Sequence, residues 1–311
     1  MPGILDIIRL LAIPIFGAAA WRDYRTRRVP NHYWYPLAVL GILLILWEGW
    51  QKYILSTQFG KVYLFHVFLS IGILIPLSYF FWKMGGFGGA DAKALMVIAV
   101  LFPTYPRYMF EGIFVPLVQA PIGIFSITIL TNTALLGLLY PLLLGIQNSV
   151  RGNISIYMFV GKPVHWSTVP NEHGRLLFGP DNDFTSQGLD IDALRMYLRW
   201  RGVSLAELRE NEQLREPSTL PETPNPPTDG AIRTDGGQSV RDPWGAATFL
   251  DDIDHNAYGT TPSQLRDGLD KLTSNTTVWI SPGIPTLVPM LGGLITGIIY
   301  GDILYGLLHI L

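Results

Sequence analysis

Apolar runs alternate with polar joints along this chain, and the lengths of the runs decide its class. Residues 3–20, 33–50, 62–82, 91–105, 121–146 and 286–311 are dominated by aliphatic and aromatic side chains. A helix needs about 17 to 25 such residues to cross a hydrocarbon core about 30 Å thick. The pattern predicts an all-α polytopic membrane protein with about six transmembrane helices and a long, partly disordered hydrophilic insert before the last one. Residues 1–165 form the expected membrane core with five spans, 166–278 the insert, and 279–311 the last transmembrane helix.

Two runs have informative lengths. From Asp91 to Tyr105 there are only 15 residues before Pro106 and Arg107, about 22 Å of helix at about 1.5 Å per residue. Either the bilayer thins there or the glycine-rich segment in front dips below the membrane surface, and both place Asp91 near membrane depth. Residues 112–146 are too long for one upright helix and tight for two. One span over 121–146, preceded by an interfacial piece broken near Pro116 and Pro121, is the expected arrangement.

Orientation follows from the basic residues. Arg22, Arg25, Arg27 and Arg28 come after the first apolar run, whereas a secretory signal carries its basic residues in front, so the first run is a retained helix with its arginines in the cytoplasm. Two crossings later the chain is back on the same side at Asp91. Five crossings leave residues 166–278 cytoplasmic in a multi-pass protein of the plasma membrane. Within that insert, Leu194, Tyr197 and Leu198 recur at helical spacing and helix resumes over 204–209, so a small helical module is expected. Residues 216–243, rich in Pro, Thr, Asp and Gly, read as a disordered linker. One more short helix is expected around 263–272.

Composition then narrows the chemistry. A chain 49% hydrophobic with nine Trp and a mean hydropathy of +0.30 is not an ordinary soluble protein. With no cysteine there are no disulfides, thiolate metal sites or Cys nucleophiles. The six His show no paired spacing, so no metal and no cofactor are expected. No nucleic-acid partner is expected either. The insert holds 18 of the 24 carboxylates but ten of the 22 basic residues, a formal charge of −8. That leaves Asp6, Asp23, Glu48, Asp91, Glu111 and Asp302 for the apolar remainder.

An ionisable group at the mouth of a membrane helix is costly unless it faces a partner or a wet cavity. Asp91 stands directly behind Gly85-Gly-Phe-Gly-Gly-Ala, and glycines allow close backbone approach and positive φ. The plainer reading is a glycine loop with a solvated Asp at the next helix's start. Asp23 and Asp91 share the inner face, whereas Asp6, Glu48 and Glu111 lie toward the outer one, so only the first two can meet. Two carboxylates close together in a low-dielectric site cannot both ionise. The charged member can activate water while the protonated one polarises a carbonyl, which is peptide hydrolysis without metal or covalent intermediate. On the residues alone, Asp23 is equally well explained by pairing with Arg22, Arg25, Arg27 or Arg28. Asp302 falls at the far end of the last helix, and His66 and His309 read as core and interfacial residues.

The pieces Arg22-Asp-Tyr-Arg-Thr-Arg-Arg-Val-Pro-Asn31 and Gly88-Gly-Ala-Asp-Ala-Lys93, with the order of spans around them, resemble the prepilin peptidase family of membrane aspartyl proteases. The likeness is closest to the archaeal branch that processes preflagellins (archaellins) and type IV prepilins. It covers residues 4–162 and 279–302 and leaves the acidic insert outside. The resemblance implies that Asp23 and Asp91 are the catalytic pair. It further implies an endopeptidase that removes short basic leaders from pilin-like or archaellin precursors at the cytoplasmic membrane face. Ala90 stands where the strict motif has its second glycine, as archaeal members commonly do. Bacterial relatives often add a cysteine-bearing domain and a methyltransferase activity, for which this chain lacks the cysteines and the room, so a peptidase alone is expected. Gly88 and Gly89 would admit an extended substrate backbone, or simply reverse the chain. Lys93 either orients Asp91 or snorkels to lipid head groups, and the second reading is favoured. The rival classes are a transporter or channel using the two aspartates as a proton relay, and a non-catalytic secretion scaffold. A transporter would predict broken helices in both halves, and only one glycine-broken segment is present.

Overall fold

The computed structural model describes residues 4–26, 29–55, 57–84, 87–110, 112–177, 188–222, 224, 243–253, 257, 259–283 and 285–309. The chain forms two compact units, residues 1–140 with 285–311, and residues 141–284.

The first unit is helical. α1 (Ile4–Arg9) and α2 (Ala12–Thr26) make the first apolar run, followed by α3 (Trp34–Leu55), α4 (Thr57–Lys83) and α5 (Gly89–Leu101). Apolar side chains such as Leu46, Trp47, Phe59 and Phe68 face outward, an arrangement suited to lipid and hazardous in water. α5 is the buried axis. Ala92, Ala94, Leu95, Val97, Ile98, Ala99 and Leu101 are all buried, because both α3 and α4 pack against it. A helix covered on most sides has no need of a polar face. Gly41 lets α3 approach closely, since a Cβ there would lie 2.9 Å from Val100 Cγ1 and 3.2 Å from the Leu101 backbone nitrogen. Ser70 Oγ donates to the Ala99 carbonyl at 2.7 Å, the kind of interhelical hydrogen bond that holds membrane helices together.

Between α5 and the next span the expected interfacial piece is a β-hairpin, β1 (Tyr108–Phe110) with β2 (Ile113–Val115). Gly112, at φ +87°, supplies the positive φ that a tight turn needs. α6 (Phe125–Val150) then runs as one helix, so residues 112–146 contain one span. Ile4–Thr26, Asn31–Leu55, Thr57–Lys83 and Phe125–Val150 are each long and apolar enough to cross a membrane. α5, with 13 residues, is shorter, as its sequence length requires.

The second unit contains the small helical module expected of the insert and, beside it, a sheet that was not expected. β3 (Lys162–His165), β4 (Arg175–Leu176) and, much later, a strand at Thr277–Ser281 form an antiparallel sheet in which that late strand is central. Packed with it are α7 (Ile191–Arg201), α8 (Leu205–Glu210), α9 (Ala246–Asp252) and α10 (Pro262–Ser274), and the late strand is β5. Their shared core includes Leu194, Tyr197, Trp200, Phe249, Leu269, Val278 and Ile280. Val278 and Ile280 are buried while the residues between and beside them are not, a two-residue period that marks a strand. Sequence reading had given Trp279, Ile280 and Ser281 to the last span because they abut its apolar run. The front of the expected disordered linker is ordered: Pro217–Thr219 is a 3₁₀ turn, Arg201 Nη2 donates to Thr219 Oγ1 at 2.7 Å, and Leu220 packs on the core. Residues 225–242 lie outside the described residues.

The chain returns to the first unit with α11 (Leu287–Ile299) and α12 (Ile303–Leu308). The break between them centres on Gly301, at φ +103°, where a Cβ would fall 1.7 Å from the Val118 carbonyl oxygen. Only glycine fits so close a backbone approach. Asp302 caps α12 by accepting from the Tyr305 N–H at 2.8 Å and accepts from Thr128 Oγ1, also at 2.8 Å. Its role is local, as expected from its position.

Candidate active site

Asp23 sits on the last turns of α2 and is 9% exposed. One of its carboxylate oxygens, Oδ2, accepts a hydrogen bond from the Leu287 backbone N–H at 3.3 Å. Leu287 is the first residue of α11, where N–H groups have no partner inside the helix. Packing explains how two segments 264 residues apart come together: Phe16, Ala19 and Ala20 of α2 share a buried cluster with Leu287, Met290 and Leu294 of α11. At the same end of α2, Trp21 and Tyr24 are exposed and the Arg25 guanidinium lies 4.4 Å over the Trp21 ring, an interfacial arrangement. Arg27 and Arg28, two of the proposed alternative partners of Asp23, lie outside the described residues.

Asp91 is the third residue of α5 and is half-buried. Its Oδ2 accepts from the Gly88 N–H at 3.1 Å, closing the first turn of the helix. A carboxylate in this position is favoured by the helix dipole and by the unpartnered N–H groups of the first turn. Gly88 itself has φ −66° and ψ 155°, a conformation open to any residue. Its value is steric, because a Cβ there would stand 3.0 Å from Asp91 Oδ2. At Gly89 a Cβ would meet only Trp82 Nε1, at an ordinary 3.6 Å, so the fold alone does not require glycine there. Gly85 and Gly86 lie outside the described residues.

Lys93 is exposed on the second turn of α5. Its Nζ donates to Asn31 Oδ1 at 2.6 Å, tying the first turns of α5 to the turn between α2 and α3. The two sequence pieces that bear the aspartates are thus linked by a direct side-chain bond. Ala19 and Ala20 near Asp23, and Ala90 beside Asp91, pack on one apolar cluster. The opposite end of α5 is held by another group entirely: Arg9 Nε donates to the Leu101 carbonyl at 2.8 Å and its terminal nitrogens pair with Asp6 and Glu48. A 13-residue helix is about 20 Å long, so Asp6 and Glu48 are removed from Asp91, and Glu111 lies outside the described residues.

Asn31 and the Leu287 N–H are functional candidates that sequence reasoning missed. Asn31 stood inside the quoted Pro-Asn motif and could have been singled out. The Leu287 N–H is a backbone group with no residue-type signal. Among the described residues, no three His, Cys, Asp or Glu side chains gather as a metal site. If the Lys93–Asn31 bond serves to align the two segments, Lys93→Met and Asn31→Ala should each lower kcat by about tenfold, and the double variant should lose no more than either single one. Multiplicative losses in that cycle would show that the two residues act separately.

Residues 10–142 match the model of the type IV leader peptidase family, and residues 237–303 match that of the archaeal peptidase A24 C-terminus, type II. A preflagellin peptidase from Methanococcus maripaludis is 25% identical over 172 residues, which are 53% of this chain and 70% of that protein. One from Methanococcus voltae is 25% identical over 143 residues, 45% of this chain and 58% of that protein. No solved structure matches. The second family model begins at residue 237, so the similarity reaches into the insert, which the sequence motifs had left uncovered.

Proposed function

Because the chain belongs to the type IV leader peptidase family, we propose that this multi-pass membrane peptidase is of the aspartic type, with Asp23 and Asp91 as its catalytic pair. Its substrates on this reading are pilin-like or archaellin precursors, in line with the preflagellin peptidases it resembles. The observation that carries the assignment is the Lys93–Asn31 bond, which joins the two segments bearing the only carboxylates at that end of the helical unit among the described residues. In the reaction, the ionised carboxylate takes a proton from water as the water adds to the scissile carbonyl, and the protonated one donates to the carbonyl oxygen. Proton transfer to the amine then releases the leader. Gly88, exposed in front of α5, and Gly89, half-exposed at its first position, leave room for an extended substrate backbone, while Lys93 acts as a positioning residue. The test is a membrane cleavage assay on a precursor with a short basic leader, comparing wild type with each aspartate variant.

The cleavage site of such a precursor lies where its apolar helix leaves the cytoplasmic face, so on this reading Asp23 and Asp91 face the cytoplasm, and the count of crossings gives the insert the same sidedness. Asn275-Thr-Thr277 is an acceptor sequence for N-glycosylation and is exposed between the end of α10 and the start of β5. It is expected to stay unmodified in the native host, and residues 225–242 are expected to resist protease added outside intact cells. Glycosylation at Asn275 or external cutting would reverse the orientation, since burial does not protect the site.

A further inference from the structure

The last apolar helix is separated from the first by the whole insert, yet its N-terminus touches Asp23. The geometry points to α11 as a positioning element of the active site: the Leu287 backbone N–H holds the Asp23 carboxylate in its working orientation. This inference rests on the assignment of Asp23 to the catalytic pair.

Three observations support it. Asp23 is 91% shielded from solvent, and Leu287, which donates to it at 3.3 Å, is fully buried. Leu287 opens α11, so its N–H has no acceptor within the helix, and the carboxylate arriving from α2 satisfies it. Finally, the contact is enforced by packing along the helices. α2 lies against α11, and α11 is seated on α6 so closely that a Cβ at Gly293 would fall 2.4 Å from Thr133 Oγ1 and 2.9 Å from the Ile129 carbonyl oxygen. The far end of α11 is pinned as well, by Asn132 Nδ2 to the Gly301 carbonyl at 2.8 Å and by the Val118 N–H to the Tyr300 carbonyl at 2.7 Å. A helix fixed at its far end and along its length cannot slide, so its first N–H is a fixed donor. An oriented donor of this kind favours a charged, correctly turned carboxylate and needs no reorganisation during reaction.

No side-chain substitution removes a backbone N–H cleanly, and proline at 287 would disturb Thr286, which is helical in φ and ψ. The experiment is therefore an amide-to-ester exchange, made by suppressing a stop codon at 287 with the α-hydroxy acid of leucine in the full-length chain. The side chain is kept, the donor is lost, and the Thr286 carbonyl, which accepts from the Met290 N–H at 3.2 Å, becomes a weaker ester acceptor. The control is the same exchange at Val288, whose N–H donates to the Pro285 carbonyl at 2.9 Å in the same helical turn and does not serve Asp23. The expected result is that the 287 ester lowers kcat about tenfold with KM unchanged, while the 288 ester leaves both as in wild type. Equal effects at both positions would reduce the contact to helix stability and overturn the inference, as would a wild-type profile at 287. Asp23→Asn, assayed in parallel, separates the two levels: cleavage by that variant would sink the catalytic assignment, whereas an inactive Asp23→Asn beside an unaffected 287 ester would sink only the role of α11.

Discussion

Asp91→Asn and Asp23→Asn are each expected to lower precursor cleavage by at least about 10³-fold while leaving the protein's abundance in the membrane unchanged. General acid and general base each contribute about 10²–10⁴-fold, and an amide at either position can neither take a proton from water nor pass one to the carbonyl. The fold should tolerate the change. Asn is isosteric with Asp and its carbonyl oxygen can still accept from the Gly88 N–H or the Leu287 N–H, the contacts seen for the two carboxylates. Residues that act as a unit are not additive, so the double variant should be no slower than the slower single one. Processed and unprocessed precursor, quantified with membrane-embedded enzyme at matched levels, check this directly. Near-normal cleavage by one variant would remove that residue from the mechanism, and by both would return the proton-relay and scaffold readings to the front.

The largest loss of stability is expected at the other end of the helices. Arg9 is 1% exposed, with Asp6 Oδ1 at 2.7 Å, Glu48 Oε2 at 2.5 Å and the Leu101 carbonyl at 2.8 Å. Lys52 meets the second oxygen of Glu48 at 2.8 Å, and Tyr63 closes the group from α4. α1, α3 and the end of α5 meet on this one guanidinium, and α4 joins them through Glu48. Glu48→Leu leaves a buried cation half-compensated, a change that typically costs about 3–5 kcal/mol. Replacing Arg9 by Met as well should recover part of that loss, because an apolar pair of similar volume is often as stable as a buried ion pair, while Asp6, deprived of Arg9, keeps the Arg107 N–H at 3.2 Å. Thermal unfolding in detergent of the single and double variants decides the point. A Glu48→Leu protein as stable as wild type would show that Asp6 and Leu101 suffice for Arg9. Cleavage by the folded fraction should remain normal, since the group lies the length of α5 away from Asp91.

How much of this could be read beforehand differs from element to element. α3, α4 and α6 were plain in the apolar runs because a bilayer leaves so few options: backbone groups must be satisfied within the segment, so a sufficiently long apolar stretch becomes a helix. The short α5 followed from counting residues before Pro106, whereas its burial between α3 and α4 came only with the tertiary packing. β5 was harder. Its alternation spans only Thr277–Ser281, its partner β3 lies more than 100 residues earlier, and the apolar run beside it masked the two-residue period.

For the site, counting crossings put Asp23 and Asp91 on one expected face, and the motifs around them suggested the proposed pair and the family. Local pattern could go no further, because it reports only which side of the membrane and which face of a helix a residue occupies. That Lys93 reaches Asn31, 62 positions away, and that Asp23 meets the Leu287 N–H across 264, depends on how α2, α5 and α11 settle against their common core. Side-chain type foretells neither contact, since a lysine suits lipid head groups as well as an amide and every residue but proline carries an N–H. Class, spans and chemically competent residues were therefore present in the one-dimensional pattern. The partners that orient them were decided by close packing, in which a small side chain such as that of Ala20 or a glycine such as Gly293 fixes the approach of two helices to within an ångström.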